Sequence, residues 1–303
     1  MTARGGVGQD REVGFVGLGA MGSPMSRHLR EAGWTVVGHD LDERSLRRHA
    51  AEAPTVDDVI ELCGRVGVVV TSLPSNAAVR AVIERLGEGE CAGLVIVETS
   101  TLTLAEKQAA HEAAAALGMT LLDCPVSGTS AQAEVGDVVA YLSGSDPAAL
   151  ERAEPVVASM TRAFHAVGDF GNGTRMKLVA NLLVAVHNLA AAEALLLAQR
   201  VGLDLDQVLE AVGDGAGASK MLAVRGPLMV SGDFDRATAR VEIFQKDLRA
   251  IEELAAHVSS PTPLLSASST YYAMAMAQGR AQQDTASVFG VLAHSVAPSS
   301  ELT

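Results

Sequence analysis

Lys177 and Asn181 are the residues in this sequence whose types and spacing best suit proton chemistry. They lie four positions apart in a predicted helix, so an amine and an amide project from the same helical face. The helix is otherwise mostly apolar, and burial there makes the neutral amine more accessible, which suits a general acid or base. A single lysine on such a helix more often extends to the surface, so the prediction depends on the pair.

A polar segment at residues 123–129 follows a predicted strand and forms the second candidate site. Ser127, Gly128 and Thr129 offer hydroxyl groups and backbone N–H groups within one turn. Such a turn can cradle a carboxylate, so we predict that it binds an anionic substrate group.

A GxGxxG run lies between a predicted strand and a predicted helix, and its residues are Gly17, Leu18, Gly19, Ala20, Met21 and Gly22. The first glycine permits a tight turn, the second lets the backbone approach a pyrophosphate, and the third allows close packing of helix on strand. The helix N-terminus adds N–H groups that face the anion. Glycine-rich turns of unrelated proteins can show the same spacing, but the strand–turn–helix context favours a dinucleotide site.

Asp40 ends the next predicted strand, about 20 residues after the glycines. An acid at this position accepts hydrogen bonds from the adenosine ribose hydroxyls and repels a 2′-phosphate. The next residue is Leu41 rather than an arginine that would clamp such a phosphate, although Arg44 could fold back toward it. Asp40 could also act only as a turn former. The pattern favours NAD as the cofactor over NADP.

Short β-branched runs alternate with alanine-rich amphipathic stretches from residue 12 to about residue 167. The predicted strands cover residues 13–16, 35–38, 66–71, 94–97 and 120–122, and the predicted helices cover residues 21–32, 77–86 and 103–117. Repeated β–α–β units of this kind predict an α/β fold with a doubly wound, mostly parallel sheet of the Rossmann type. Two further strands, at residues 138–143 and 163–167, are expected to extend that sheet.

The strand patterns stop after Gly168, and an all-α region follows. Its predicted helices cover residues 174–201, 206–212, 239–258, 263–278 and 284–295. Because three glycines between residues 168 and 173 punctuate the change, we place a domain boundary there. The sequence thus predicts a disordered leader at residues 1–11, an NAD-binding domain at 12–173, a helical substrate and dimerisation domain at 174–296, and a tail at 297–303.

Residues 178–198 are apolar and about long enough to span a bilayer. They include Asn181, His187, Asn188 and Glu193, which would be costly near the centre of a membrane. A long interdomain helix that is buried on nearly every side, between domains or between subunits, is the better interpretation. Its broad apolar surface predicts a homodimer or a homotetramer.

The chain of 303 residues carries 23 Lys and Arg against 36 Asp and Glu, for a formal charge of −13. This acidic balance argues against nucleic acid or an anionic membrane as a partner, because both need a basic surface, and it leaves a small-molecule substrate. Cys63, Cys91 and Cys124 are far apart and form no CxxC pair, so we expect free thiols in a cytoplasmic protein. The eight histidines show no metal-ligand spacing, so no metal is predicted.

Together these motifs resemble the β-hydroxyacid dehydrogenase family, which includes 3-hydroxyisobutyrate dehydrogenases, tartronate semialdehyde reductases and succinic semialdehyde reductases. The resemblance extends from Glu12 to about Ala293 and includes a helical C-terminal domain like that of 6-phosphogluconate dehydrogenase. Its further motifs are Leu73-Pro74, Ser100-Thr101, residues 123–128, residues 173–181 and Lys246-Asp247-Leu248.

The resemblance implies roles for these residues. Lys177 would be the catalytic residue, and Asn181 would help to hold it and the substrate. Ser127 and Gly128 would bind the substrate carboxylate. The residues near the nicotinamide half of the cofactor would be Leu73, Pro74, Thr101 and Lys246.

The sequence departs from the family pattern at two positions. Thr129 stands where a second glycine is common, and Glu98 stands where aspartate is usual. The run at residues 215–221 is similar to a subgroup that includes sugar-acid dehydrogenases such as those acting on threonate. The expected substrate is therefore a short 3-hydroxy acid or a sugar acid.

The resemblance implies NAD-dependent oxidation of such an acid to its semialdehyde or keto acid, or the reverse reduction, with Lys177 as the general acid or base. Two alternatives stay open. NADPH-dependent imine reductases share the architecture but generally lack a lysine at the position of Lys177. A non-catalytic dinucleotide-binding protein would have no need for Ser127, Lys177, Asn181 and Lys246 together.

Overall fold

The computed structural model describes residues 11–295, so the predicted tail and all of the predicted leader except Arg11 lie outside the described residues. The chain divides into two compact units between Lys177 and Leu178. The first unit contains the strands, and the second is helical.

A five-stranded parallel sheet in the order β2-β1-β3-β4-β5 forms the centre of the first unit. Its strands are β1 (Glu12–Val16), β2 (Thr35–His39), β3 (Val68–Thr71), β4 (Val95–Glu98) and β5 (Thr120–Asp123). Valine-rich strands buried on both faces are typical of a parallel sheet that is covered by helices on both sides. The strand order reverses between β1 and β3, where ligands of such sheets bind beyond the carboxyl ends of the strands.

Helices cover both faces of this sheet. They are α1 (Gly22–Glu31), α2 (Glu43–Ala50), α3 (Asn76–Leu86), α4 (Leu104–Ala116), α5 (Ser130–Glu134) and α6 (Pro147–Met160). One apolar cluster includes Leu29 and Val156 from α1 and α6, and the other includes Ile83 and Ala110 from α3 and α4. The predicted Rossmann-type fold is confirmed.

The last strands of the unit form a separate sheet, so the prediction that they extend the parallel sheet is wrong. β6 (Val126–Ser127) pairs antiparallel with β7 (Val139–Leu142), and β7 pairs parallel with β8 (Ala163–Ala166). A single bridge from Asp123 to Ser143 joins the region to β5. Pro125 has no N–H group, so the strand pairing of β5 cannot simply continue through it. Alternation along a strand identifies its faces but not its neighbours.

The cysteine prediction is corrected as well. Cys63 and Cys91 form a disulfide across 28 residues, with 4.7 Å between their Cα atoms, whereas Cys124 is free and buried. The 3₁₀ helix Val59–Leu62 ends at Cys63, and Cys91 lies shortly before β4. The crossover helix α3 returns the chain to the same end of the sheet, which brings together two cysteines that are remote in sequence.

This pairing predicts one reactive thiol per chain in denaturant without reductant, because only Cys124 is free. Titration with a thiol-reactive chromophore before and after reduction tests this expectation, and reduction should raise the count to three. Three thiols before reduction would show that Cys63 and Cys91 stay reduced.

The helical part of the chain contains α7 (Asn172–Arg200), α8 (Leu205–Gly213), α9 (Lys220–Ser231), α10 (Val241–His257), α11 (Pro263–Ala277) and α12 (Val288–His294). The sequence reading missed α9, because Gly226 and Pro227 lie inside it. A Cβ atom on Gly226 would collide with Leu209 of α8, so this glycine permits close approach of the two helices.

The 29-residue helix α7 is long and apolar enough to cross a membrane, but only by length and composition. Buried residues make up 44% of its most apolar window. Val179, Leu183 and Leu197 are 57%, 48% and 66% exposed in the single chain, so burial of this helix on nearly every side stays a prediction that requires a second subunit.

Candidate active site

The glycine run forms the turn between β1 and α1, as predicted. Gly17 has φ +94°, and a Cβ atom there would collide with the carbonyl of Ser72, while one on Gly22 would collide with the carbonyl of Gly17. A Cβ atom on Gly19 would meet nothing within 4 Å. The first and third glycines therefore close the turn, and the second opens onto free space.

The space beside Gly19 has the chemistry that a pyrophosphate needs. Gly19 and Ala20 are exposed, Leu18 is buried, and Met21 precedes α1 without a side-chain capping bond. The first N–H groups of a helix have no acceptor within the helix, and the helix dipole makes that end positive. The loop thus fits the pyrophosphate of a dinucleotide cofactor.

Asp40 follows β2 and is held against the glycine run. Its Oδ2 accepts a hydrogen bond from the N–H of Leu18 at 2.6 Å, and its Oδ1 accepts one from the N–H of Asp42 at 2.7 Å. These bonds fix the orientation of a half-buried carboxylate at the place where an adenosine ribose would lie.

Leu73, Pro74 and Thr101 lie in the loops that follow β3 and β4. The N–H of Leu73 donates to Ser100 Oγ at 2.9 Å, which joins the two loops. A Cβ atom on Gly17 would lie 3.2 Å from Leu73 Cδ2, so this turn borders the glycine run. Pro74 is exposed and Thr101 is half-buried.

The segment predicted to bind a carboxylate enters α5 through β6. Ser127 is half-buried, and Gly128 has φ +151° with Val138 close to the position of a Cβ atom. Thr129 caps α5: its N–H and its hydroxyl both reach Gln132 Oε1, at 3.0 and 3.3 Å. Gln132 Oε1 accepts from both donors of Thr129. Ser127 and Gly128 are therefore the better candidates to donate hydrogen bonds to a carboxylate.

The first turn of α7 packs directly against this segment. Thr174 donates from its N–H to Asp123 Oδ2 at 2.7 Å and from its hydroxyl to Asp123 Oδ1 at 2.9 Å. A Cβ atom on Gly173 would collide with the carbonyl of Tyr141 and would lie 3.0 Å from Pro125 Cδ. The start of α7 is therefore seated on the residues that lead into Ser127.

Lys177 lies one helical turn beyond Thr174 and is only 7% exposed. Its side chain does not extend into solvent, as a lone lysine on an apolar helix commonly would. The first unit thus brings Lys177 and the segment containing Ser127 to the same part of the fold, through the start of α7.

The sequence reading missed a buried group of charges beneath these loops. Lys107 Nζ contacts Glu98 Oε2 and lies 3.1 Å from Asp123 Oδ1, and all three side chains are fully buried. Burial alone would lower the pKa of Lys107, but the two carboxylates raise it. Lys107 lies on the stripe of Ala110 and Ala114 along α4, and this helical periodicity could have revealed its burial.

Asn181 and Lys246 lie in the second unit, together with Asp247. Asn181 Nδ2 donates to Asp247 Oδ2 at 3.0 Å, and Lys246 Nζ lies 3.9 Å from Asp247 Oδ1. Asn181 is 3% exposed, whereas the Lys246 side chain is 43% exposed. Asp247 therefore orients the amide of Asn181, a function that the sequence reading did not assign to it.

Cys124 does not have the environment of a nucleophile. Burial raises the pKa of its thiol, which keeps the thiol protonated. Within residues 11–295, no group of three or more His, Cys, Asp or Glu side chains could hold a metal ion.

Two family models match the chain. The NAD binding domain of 6-phosphogluconate dehydrogenase matches residues 12–168, and the model for NAD-binding of NADP-dependent 3-hydroxyisobutyrate dehydrogenase matches residues 171–292. The L-threonate dehydrogenase of Cupriavidus necator is 33% identical over 287 residues, which cover 93% of this chain and 96% of that protein. The chain belongs to the β-hydroxyacid dehydrogenase family.

This membership confirms the predicted family and makes the chain a nicotinamide-dinucleotide-dependent oxidoreductase of hydroxy acids. The crystal structure of 3-hydroxyisobutyrate dehydrogenase from Salmonella typhimurium matches with a TM-score of 0.84 at 32% identity, covering 93% of this chain and 100% of that one. The match to an imine reductase of Streptomyces aurantiacus covers 93% of this chain and 99% of that one. Its identity is 21% and its TM-score is 0.63, so this similarity shows the shared fold alone.

Proposed function

We propose that this β-hydroxyacid dehydrogenase catalyses the NAD-dependent oxidation of a short 3-hydroxy acid, or the reverse reduction, with Lys177 as the general acid or base. The observation that carries the proposal is the burial of Lys177. It lies one helical turn beyond Gly173 and Thr174, which contact residues 123–125. An amine in this position is shielded from bulk water, and its helix is bonded to Asp123, four residues before Ser127.

In this mechanism Ser127 and Gly128 bind the substrate carboxylate. The substrate hydroxyl group then faces the amine of Lys177. When bound, a nicotinamide dinucleotide would supply the hydride acceptor for oxidation and the hydride donor for reduction. The neutral amine of Lys177 accepts the hydroxyl proton during oxidation, and its ammonium form returns a proton to the carbonyl oxygen during reduction. Asn181, which Asp247 orients, and Lys246 are proposed to contribute to substrate and cofactor binding, respectively.

The cofactor proposed is NAD, and Asp40 supports it. Both oxygens of its carboxylate accept backbone N–H groups, so the negative charge is held in place beside the ribose position. A 2′-phosphate would meet that charge, whereas ribose hydroxyls can donate to its remaining lone pairs.

The L-threonate dehydrogenase relative supports a sugar acid as the first substrate to test. A panel of threonate, 3-hydroxyisobutyrate, glycerate, serine and short semialdehydes should be assayed with NAD and with NADP. We expect NADH formation from at least one hydroxy acid, with a clear preference for NAD. If NAD raises the melting temperature but no member of the panel reacts, the proposal fails and a non-catalytic binding protein is favoured.

We also propose a homodimer or homotetramer in which a second chain covers the exposed apolar residues of α7, among them Val179 and Leu197. An isolated chain has a mass of 31.3 kDa, so light scattering should return at least twice that value. A monomer in solution at micromolar concentration would contradict this expectation.

A further inference from the structure

The buried charges of Glu98, Lys107 and Asp123 lie between the two loop systems of the proposed active site. Lys107 Nζ contacts Glu98 Oε2, lies 3.2 Å from the carbonyl oxygen of Glu98, and lies 3.1 Å from Asp123 Oδ1. Glu98 ends β4 and Asp123 ends β5, so one ammonium group from α4 ties together the carboxyl ends of two neighbouring strands.

One branch of this network leads toward the loops near the predicted nicotinamide position. Glu98 Oε1 accepts a hydrogen bond from the N–H of Ser100 at 2.9 Å. Ser100 Oγ in turn accepts the N–H of Leu73 at 2.9 Å. Glu98 therefore holds the turn that borders the glycine run.

The other branch leads to the start of α7. Both carboxylate oxygens of Asp123 accept hydrogen bonds from Thr174. Ser143 Oγ accepts the N–H of Gly173 at 2.9 Å, and its hydroxyl donates to Asp123 Oδ2 at 3.4 Å. Lys177 follows Thr174 by one turn, about 4.5 Å along the helix axis. A shift of the first turn of α7 would therefore move Lys177 with it.

Without the ammonium group of Lys107, two buried carboxylates would lie close together with no cation between them. Both oxygens of Asp123 accept hydrogen bonds from Thr174, so a displacement of this carboxylate would move the start of α7. Lys107 supplies that cation, and the two carboxylates in turn keep its amine protonated.

We propose that Lys107 is a positioning residue of the active site, which holds the start of α7, and with it Lys177, in register with the loop that contains Leu73 and Ser100. This inference rests on the proposed function for its effect on turnover. Its structural content, the anchoring of α7 through Asp123, does not depend on any substrate.

The central test compares Lys107→Met with the double variant Lys107→Met/Glu98→Gln, which removes one charge of each sign. For Lys107→Met we expect a lower melting temperature and a kcat lower by about 10- to 100-fold, since a small misplacement of a reacting group has effects of this size. Hydrogen exchange in peptides covering residues 172–177 should be at least about tenfold faster, because local opening governs that exchange. The dissociation constant for NADH should change by a smaller factor than kcat, because the glycine run and Asp40 are not altered and only the turn at Leu73 is affected.

The double variant should recover much of the melting temperature but neither the full kcat nor the protection of residues 172–177, because Asp123 still lacks its cation. Complete recovery of both would show that Lys107 only compensates charge, and it would overturn the proposal. Thr174→Val removes the hydroxyl donor to Asp123 without changing a charge, so it tests the same anchor if Lys107→Met does not fold. We expect faster exchange and a lower kcat from it, and wild-type values of both would count against the proposal.

Leu86→Ala provides the matched control for lost stability. Leu86 is fully buried at the end of α3 in the same unit, outside the network. Its truncation should lower the melting temperature without lowering kcat. Hydrogen exchange at residues 172–177 should not accelerate more than exchange in the rest of the unit. If the wild type oxidises no hydroxy acid while Lys107→Met still accelerates exchange, only the proposed function fails. If the wild type is active and Lys107→Met retains both activity and protection, only the positioning role fails.

Discussion

Replacement of Lys177 by alanine is expected to lower kcat by about a thousandfold, within the range that a positioned acid or base contributes. The amine is the buried titratable group that the proposed mechanism uses to exchange the hydroxyl proton, and it is only 7% exposed. Binding of NADH should change little, because the glycine run and Asp40 lie on other elements. Initial rates on the best substrate of the panel, together with NADH fluorescence titration, measure the two quantities separately.

Arg175→Ala is the matched control for this loss. Arg175 lies in the same turn of α7, but it is exposed, and its guanidinium donates to Asn172 Oδ1 at 2.8 Å. Removal of this cation should leave kcat within about a factor of three, as is usual for exposed substitutions. If Lys177→Ala retained more than about a tenth of the wild-type kcat, its contribution would fall below the range of acid–base catalysis, and another group would transfer the proton.

The parts of the fold that were predictable are those with strong local periodicity. The valine-rich β1, β3 and β4 are buried on both faces, and each reads as a short apolar run before an amphipathic helix. The glycine run was also predictable, since the requirements of its turn are local. Gly17 has a positive φ, and a side chain at Gly22 would collide with the carbonyl of Gly17.

The errors concern contacts between residues that are distant in sequence. The partners of β7 and the disulfide between Cys63 and Cys91 are set by how chain segments return to the sheet, which spacing alone does not encode. Lys107 was overlooked because lysine is normally exposed, and its carboxylate partners lie on two different strands. The capping bond between Thr129 and Gln132 was also not foreseen, and the ligand role of Thr129 stays a prediction.

Asp40→Ser is expected to shift the cofactor preference toward NADP by about 100-fold in the ratio of kcat/KM values, because a like-charge contact costs several kcal/mol. Asp40 is the carboxylate held by the N–H groups of Leu18 and Asp42. Beside it, Asp42, Arg44 and Arg48 line a surface cavity of about 480 Å³. Once the carboxylate is removed, these arginines can attract the 2′-phosphate, so kcat/KM should fall for NAD and rise for NADP.

Glu43→Ser serves as the control for this change, since it removes an exposed negative charge three positions further on. Its effect on the ratio should stay within a few-fold, because solvent screens an exposed charge that does not contact the ribose. If Asp40→Ser and Glu43→Ser shifted the ratio equally, only the general charge of this surface would matter. A wild type that already preferred NADP would mean that Arg44 and Arg48 overcome the carboxylate, and the role assigned to Asp40 would then be wrong.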